Sequence, residues 1–89
     1  MAEQTISIQN KLGLHARASA RLAVTASAYG CDVFITKDGI EVNGKSIMGI
    51  MMLAAGKGSR ITVRTEGDQE DAALKAIVQL VNERFGEAE

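Results

Sequence analysis

In Arg60-Ile61-Thr62-Val63-Arg64-Thr65 polar and apolar residues alternate without a break as far as Arg64. A strand changes facing at every residue, so this pattern buries Ile61 and Val63 and turns Thr62 and Arg64 to water. Thr5-Ile6-Ser7-Ile8 has the same period, with Ser7 outward. Asp32 to Thr36 repeats it with Val33 and Ile35 inward and Thr36 outward, and Ile40-Glu41-Val42-Asn43 is a short return strand. Lys37-Asp38-Gly39 joins those two with an Asp-Gly turn, which favours a hairpin. Half-solvated alternation belongs to antiparallel sheets. Four strands that each have one apolar face need cover on one side only.

The intervening segments supply that cover. A helix is predicted from Ala16 to about Ser27, with Ala16, Ala20, Ala23 or Val24, and Ser27 along one side and Tyr29-Gly30 at its end. A second begins near Ser46 and runs to about Leu53 or Ala54. The last follows Gly67, with Asp68 as N-cap and Glu70 and Asp71 at its positive end. Leu74, Ile77, Val81 and Phe85 form its core stripe, and Gly86 closes it. The order is βαββαβα. The expected class is α+β, an open-faced two-layer sandwich of a four-stranded antiparallel sheet with three helices on one face.

A chain of 89 residues makes a single domain, residues 1–89, with a core of Ile, Val, Leu, Ala and Met because Tyr29, Phe34 and Phe85 are the only aromatics. The composition excludes disorder, and its apolar runs are too short to span a bilayer. Residues 1–7 contain no apolar block, so no secretory signal and no membrane insertion are expected. Cys31 is the only cysteine, which rules out an intramolecular disulfide, fits a buried position at a strand entrance and points to a cytoplasmic setting. Residues 1–60 hold seven Lys/Arg against four Asp/Glu (+3), and residues 61–89 hold three against seven (−4). Lys11, Arg17, Arg21, Lys45 and Lys57 are thus candidates to surround anything anionic in the first half. Overall acidity and scarce aromatics argue against nucleic acid as a partner.

His15 is the only histidine, in Gly13-Leu14-His15-Ala16-Arg17 at the mouth of the first helix. There the N–H groups of Ala16, Arg17 and Ala18 converge on a positive dipole end, a seat for phosphate. Arg17 can fork two phosphate oxygens, and a neutral imidazole can carry a phosphoryl group. A lone loop histidine is also read simply as an exposed polar residue. Ser46 caps the second helix, and a phosphate on it would meet that helix's positive end. Ile47, Met48, Ile50, Met51, Met52 and Leu53 cannot all point inward in so short a helix. Either some of them form a docking patch, or sheet and loop pin the helix. No metal or cofactor is called for, and Gly56-Lys57-Gly58-Ser59 lacks a P-loop pattern.

Asn10-Lys11-Leu12-Gly13-Leu14-His15-Ala16-Arg17 and Val42-Asn43-Gly44-Lys45-Ser46-Ile47-Met48-Gly49 closely resemble the two signatures of the bacterial histidine-containing phosphocarrier family, HPr. The resemblance runs through the whole chain to Phe85-Gly86-Glu87. It implies a monomeric carrier, not an enzyme with its own turnover, in the phosphoenolpyruvate-dependent phosphotransferase system. Enzyme I would phosphorylate His15 through Nδ1, and IIA proteins or domains would take the phosphate. Arg17 matches the assisting arginine, and Ser46 matches the serine that a dedicated kinase, HPr kinase/phosphorylase, modifies in many members. Ile47, Met48 and Met51, with Arg17 and Ala20, match the partner-binding surface. Ala18 stands where the family usually has proline, which keeps an N–H in the first turn. Whether the acceptors serve sugar transport or a nitrogen-related regulatory branch stays open. The contrasting class is a small-ligand regulatory module of similar shape, in which His15 is incidental.

Overall fold

The computed structural model describes residues 1–89. Strand β1 (Ala2–Ser7) leads to α1 (Ala16–Ser27), the hairpin β2 (Asp32–Lys37) and β3 (Ile40–Asn43), α2 (Ile47–Met52), β4 (Arg60–Glu66) and α3 (Glu70–Asn82). A 3-10 turn at Arg84–Gly86 follows. The four strands form one sheet in the order β1-β4-β2-β3, antiparallel throughout, with three helices on one face. This is the expected class and order.

The alternation read in this stretch is fulfilled by Ile61 and Val63, both buried, and Thr65 on the same face is buried with its hydroxyl donating to the Glu70 carbonyl at 2.8 Å. Across the register Ile35 pairs with Val63 and Ile6 with Ile61, so three strands place their branched residues on the helix side. Leu22, Ile50, Ile77, Val81 and Phe85 fill the space above them. On the open face the Arg64 guanidinium lies 4.5 Å over the Phe34 ring and pairs with Glu41 and Glu66. Asp38 (φ 51) and Gly39 (φ 80) make the two-residue turn between β2 and β3, both in the left-handed region that such a hairpin demands. Cys31 is buried with a free thiol, as expected.

Several local expectations are corrected. β1 starts at Ala2 and not Thr5, because Ala2↔Thr65 and Glu3↔Arg64 extend the ladder where the sequence has no alternation. Ile8 leaves the strand yet stays buried, its amide donating to the Ser59 carbonyl. In α1 the inward face is Ala18, Ser19, Leu22, Ala23 and Ala26, while Ala16, Val24 and Ser27 are exposed. Alanines spread around a helix specify no face, and Leu22 decides it. Gly30 is not left-handed, so α1 ends at Ala28 without a glycine cap.

The start of α3 also differs. Its N-cap is Gln69 (φ 63), not Asp68, and no side chain caps it. The Glu70 carboxylate instead accepts the Gly67 N–H at 3.1 Å and pairs with the Met1 ammonium at 2.7 Å. Of the expected stripe, Ile77 and Val81 are buried on α3, Leu74 is only half-buried, and Ala73 takes an inner place. Phe85 is buried too, but from beyond the helix: Arg84 (φ 57) and Phe85 (φ 56) turn left-handed and fold the chain back. That reversal sends the tail toward His15.

Candidate functional site

Gln9 to Leu14 leaves the sheet and delivers His15 to the start of α1. Gly13 (φ 65) allows the approach: a Cβ there would lie 2.3 Å from the Ala55 carbonyl oxygen. The Leu14 amide donates to that same oxygen at 2.8 Å, and the Ser19 hydroxyl donates to the Leu14 carbonyl at 3.1 Å. Leu14 is buried, so the backbone on either side of it is anchored and His15 sits on a rigid corner.

His15 is the N-cap of α1, as read from the sequence, with extended backbone (φ −75, ψ −179). Its carbonyl accepts the first helical bond, from Ser19 N–H at 2.9 Å, and its side chain does not cap. The N–H groups of Ala16, Arg17 and Ala18 have no acceptor in the protein. These are the orphan donors of a helix start, concentrated beside the imidazole. The side chain of Ala18 packs into the core, whereas Arg17 is exposed and makes no hydrogen bond or ion pair. Its guanidinium is therefore available to an anion without first breaking a bond.

Only some of the expected cations gather here. Lys11 and Arg17 line a cavity of about 440 Å³ with Leu12, His15 and residues of the tail. Lys57 lies in a neighbouring cavity, with Lys11 and Arg84. Arg21 is committed to the Phe85 carbonyl, to which it donates, and Lys45 donates to the Tyr29 carbonyl at 2.9 Å beyond the end of α1.

Sequence reasoning passed over Glu87 and Asn10. Glu87 Oε2 lies 2.6 Å from His15 Nε2, and Asn10 Nδ2 donates to Glu87 Oε1 at 3.0 Å. Burial pushes the Glu87 carboxyl up, but hydrogen bonds from Asn10 and His15 and the nearby Arg17 charge prevail and hold it below the ordinary carboxylate value. The Lys11 amide donates to the Glu89 carbonyl at 2.9 Å, with its ammonium 3.5 Å from the Glu89 carboxylate. The tail thus brings two acids into the basic half. An excess of acids near the end of the chain was legible; where they fold was not.

Ser46 is the N-cap of α2, as expected, its hydroxyl oxygen accepting the Gly49 N–H at 3.1 Å. Ile50 and Leu53 are buried behind it. Ile47 and Met51 are exposed, and Met48 and Met52 are 75% exposed, so the helix presents the apolar surface its composition required. Ala20 is half-buried and lines a shallow cavity with Val24, and Val24 lines another with Ile47. The apolar surface of α2 thereby continues onto α1. Val24 and the exposed Leu12 beside His15 are additions to the residues singled out from the sequence.

Known proteins resemble this chain in sequence and in fold. Residues 2–83 match the family model described as PTS HPr component phosphorylation site. The phosphocarrier protein HPr of Neisseria meningitidis serogroup B is 53% identical over 89 residues, covering 100% of both chains. That of Pseudomonas aeruginosa is 54% identical over 85 residues, 94% of each. The crystal structure of an HPr from Thermoanaerobacter tengcongensis superimposes with a TM-score of 0.96 at 46% identity, covering 100% of each chain.

Proposed function

The chain belongs to the HPr family of phosphotransferase-system phosphocarriers, and we propose that His15 takes a phosphoryl group from phosphorylated enzyme I and passes it to a IIA protein or domain. The carrier works as a monomer in the cytoplasm and is consumed and regenerated stoichiometrically. One observation carries the reading: the unclaimed amides of Ala16, Arg17 and Ala18 cluster where a half-exposed imidazole can place a dianion.

In the transfer, Nδ1 of His15 attacks phosphorus as the donor's bond to phosphorus breaks. Phosphoryl transfer needs charge neutralisation and alignment more than covalent help. The three amides are fixed dipoles aimed at the incoming oxygens, and Arg17 swings a guanidinium onto two of them. Because the three amides are backbone groups of a helix already folded, they do not reorganise when the charge arrives. Delivery to the IIA partner reverses the step.

The test is incubation with phosphoenolpyruvate and a matching enzyme I. The chain should gain a phosphate that is labile in acid and stable in alkali, and His15→Ala should gain none. Equal labelling of His15→Ala would overturn the assignment.

Ser46 supports a second, compatible role. A phosphate on this cap would lie beside the exposed Ile47, Met48 and Met51 and repel acidic partners. Transfer from enzyme I to Ser46→Asp should be slower than to the wild type, and equal rates would exclude gating.

A further inference from the structure

Resting on the carrier reading, we propose that Glu87 is a positioning residue: its carboxylate holds the His15 ring in the tautomer protonated at Nε2 and then stabilises the charge the ring acquires on phosphorylation. The matched family model ends at residue 83, short of the turn that carries Glu87.

The geometry leaves little choice of roles. An ionised carboxylate only accepts hydrogen bonds, so at 2.6 Å the proton between the two groups belongs to Nε2. A neutral imidazole has one N–H and one lone pair, and the lone pair is then on Nδ1. When Nδ1 bonds phosphorus and the donor's bond to phosphorus breaks, the Nε2 proton stays in place. The ring ends positively charged, with the Glu87 carboxylate, 14% exposed, against it. On delivery the Nδ1–P bond breaks and the ring returns to neutrality, again without proton transfer.

The carboxylate is also held. Asn10, fully buried, donates to its other oxygen. Arg21 donates to the Phe85 carbonyl and the buried Phe85 ring anchors the turn before it. Left-handed Gly86 (φ 78) then turns the chain toward His15, and a Cβ there would lie 2.6 Å from the Arg21 guanidinium.

The amide variant makes the sharp test. Asn10 donates, so in Glu87→Gln the amide oxygen stays with Asn10 and the NH₂ faces Nε2. That NH₂ needs an acceptor, which drives the ring proton to Nδ1 and blocks the nucleophile. Glu87→Ala only frees the ring. In a serine protease the corresponding amide variant adopts the wrong tautomer and loses ~10⁴ in rate. His15 is 29% exposed and water shares the role, so a loss of about tenfold or more is expected here.

Nitrogen-15 spectra of the neutral ring, together with labelling rates from enzyme I, are recorded on the full chain as wild type, Glu87→Gln and Glu87→Ala. The expected result is Nε2–H in the wild type and Nδ1–H in Glu87→Gln, with Glu87→Ala close to free histidine. Labelling should be slowest in Glu87→Gln. Unchanged tautomer and rate in Glu87→Gln would overturn the proposal while a dead His15→Ala left the carrier reading standing. If the wild type takes no label, the carrier reading fails, and the ring spectra alone decide whether Glu87 sets the tautomer.

Discussion

Asn10 and Glu87, 77 residues apart in the chain, meet through a 3.0 Å hydrogen bond in which a buried amide donates to a carboxylate. The other proton of the same Nδ2 goes to the Gly13 carbonyl at 2.8 Å. One side chain therefore ties the loop before His15 to the tail that reaches it. Asn10→Ala removes both bonds and strands the Gly13 oxygen in a buried place. The expected destabilisation is about 2 kcal/mol, since one bond is charge-assisted. Urea unfolding should show a lower midpoint with an unchanged slope. A midpoint equal to the wild type would mean that the tail is not tied to the loop.

The depressed Glu87 carboxyl sets the sign of a pH effect. Its folded value lies below the ordinary 4.5, so the folded protein binds this proton less readily than the unfolded chain. The stabilisation is fully present above the ordinary value and is lost as pH falls through the lower, folded one. Glu87→Gln lacks that titration. The stability difference between wild type and Glu87→Gln should therefore shrink as pH falls below the ordinary carboxylate value of 4.5. Glu70 is also depressed, chiefly by its hydrogen bond with the amino terminus, but it titrates in both proteins and cancels. A difference independent of pH would contradict the assignment.

Gly13 predicts a larger loss. Its φ of +65 disfavours any side chain, and a Cβ would meet backbone atoms at 2.3 and 2.7 Å. Backbone cannot swing aside as a flexible side chain can. Gly13→Ala should cost about 3 kcal/mol, combining strain with overpacking, and should move His15 off its corner. Thermal unfolding and the His15 ring resonances report the two effects separately. A variant with wild-type melting would show that the corner has room.

These residues also show what a sequence can disclose. The strands were legible because Ile61, Val63, Val33 and Ile35 carry a strict period of two, and His15 and Ser46 because helix starts have a chemistry of their own. The inner face of α1 was not, since its alanines are nearly silent and only Leu22 weighs on the answer. The tail was not either. Arg84 and Phe85 adopt left-handed backbone without being glycine, so no local preference announces the reversal. It is imposed by burial of the Phe85 ring, and Glu87 arrives at His15 as a consequence. Contacts made across the full length of the chain leave no spacing to read.

Arg17 separates function from stability. The side chain is exposed and bonds to nothing, so Arg17→Ala should change unfolding free energy by no more than about 0.5 kcal/mol. A guanidinium fork onto phosphate oxygens in transfer is worth about 1.5–3 kcal/mol, so labelling by enzyme I should slow roughly ten- to a hundredfold. Arg17→Lys should recover part of the rate as a point charge without the fork. Full activity of Arg17→Ala would leave neutralisation to the amides alone.

Met48 and Ile50 lie two residues apart on α2 with opposite exposure, 75% and 0%. Ile50→Ala opens a cavity and should cost about 2–5 kcal/mol. Met48→Ser takes nothing from the core and should leave stability within about 0.5 kcal/mol. If the exposed methionines are the docking surface, that same variant gives up apolar area buried only in the complex. Affinity for enzyme I, measured by titration calorimetry, should then fall about tenfold, the equivalent of some 1.4 kcal/mol. Unchanged affinity in Met48→Ser would remove this face of α2 from the interface and leave its exposed apolar surface without a partner.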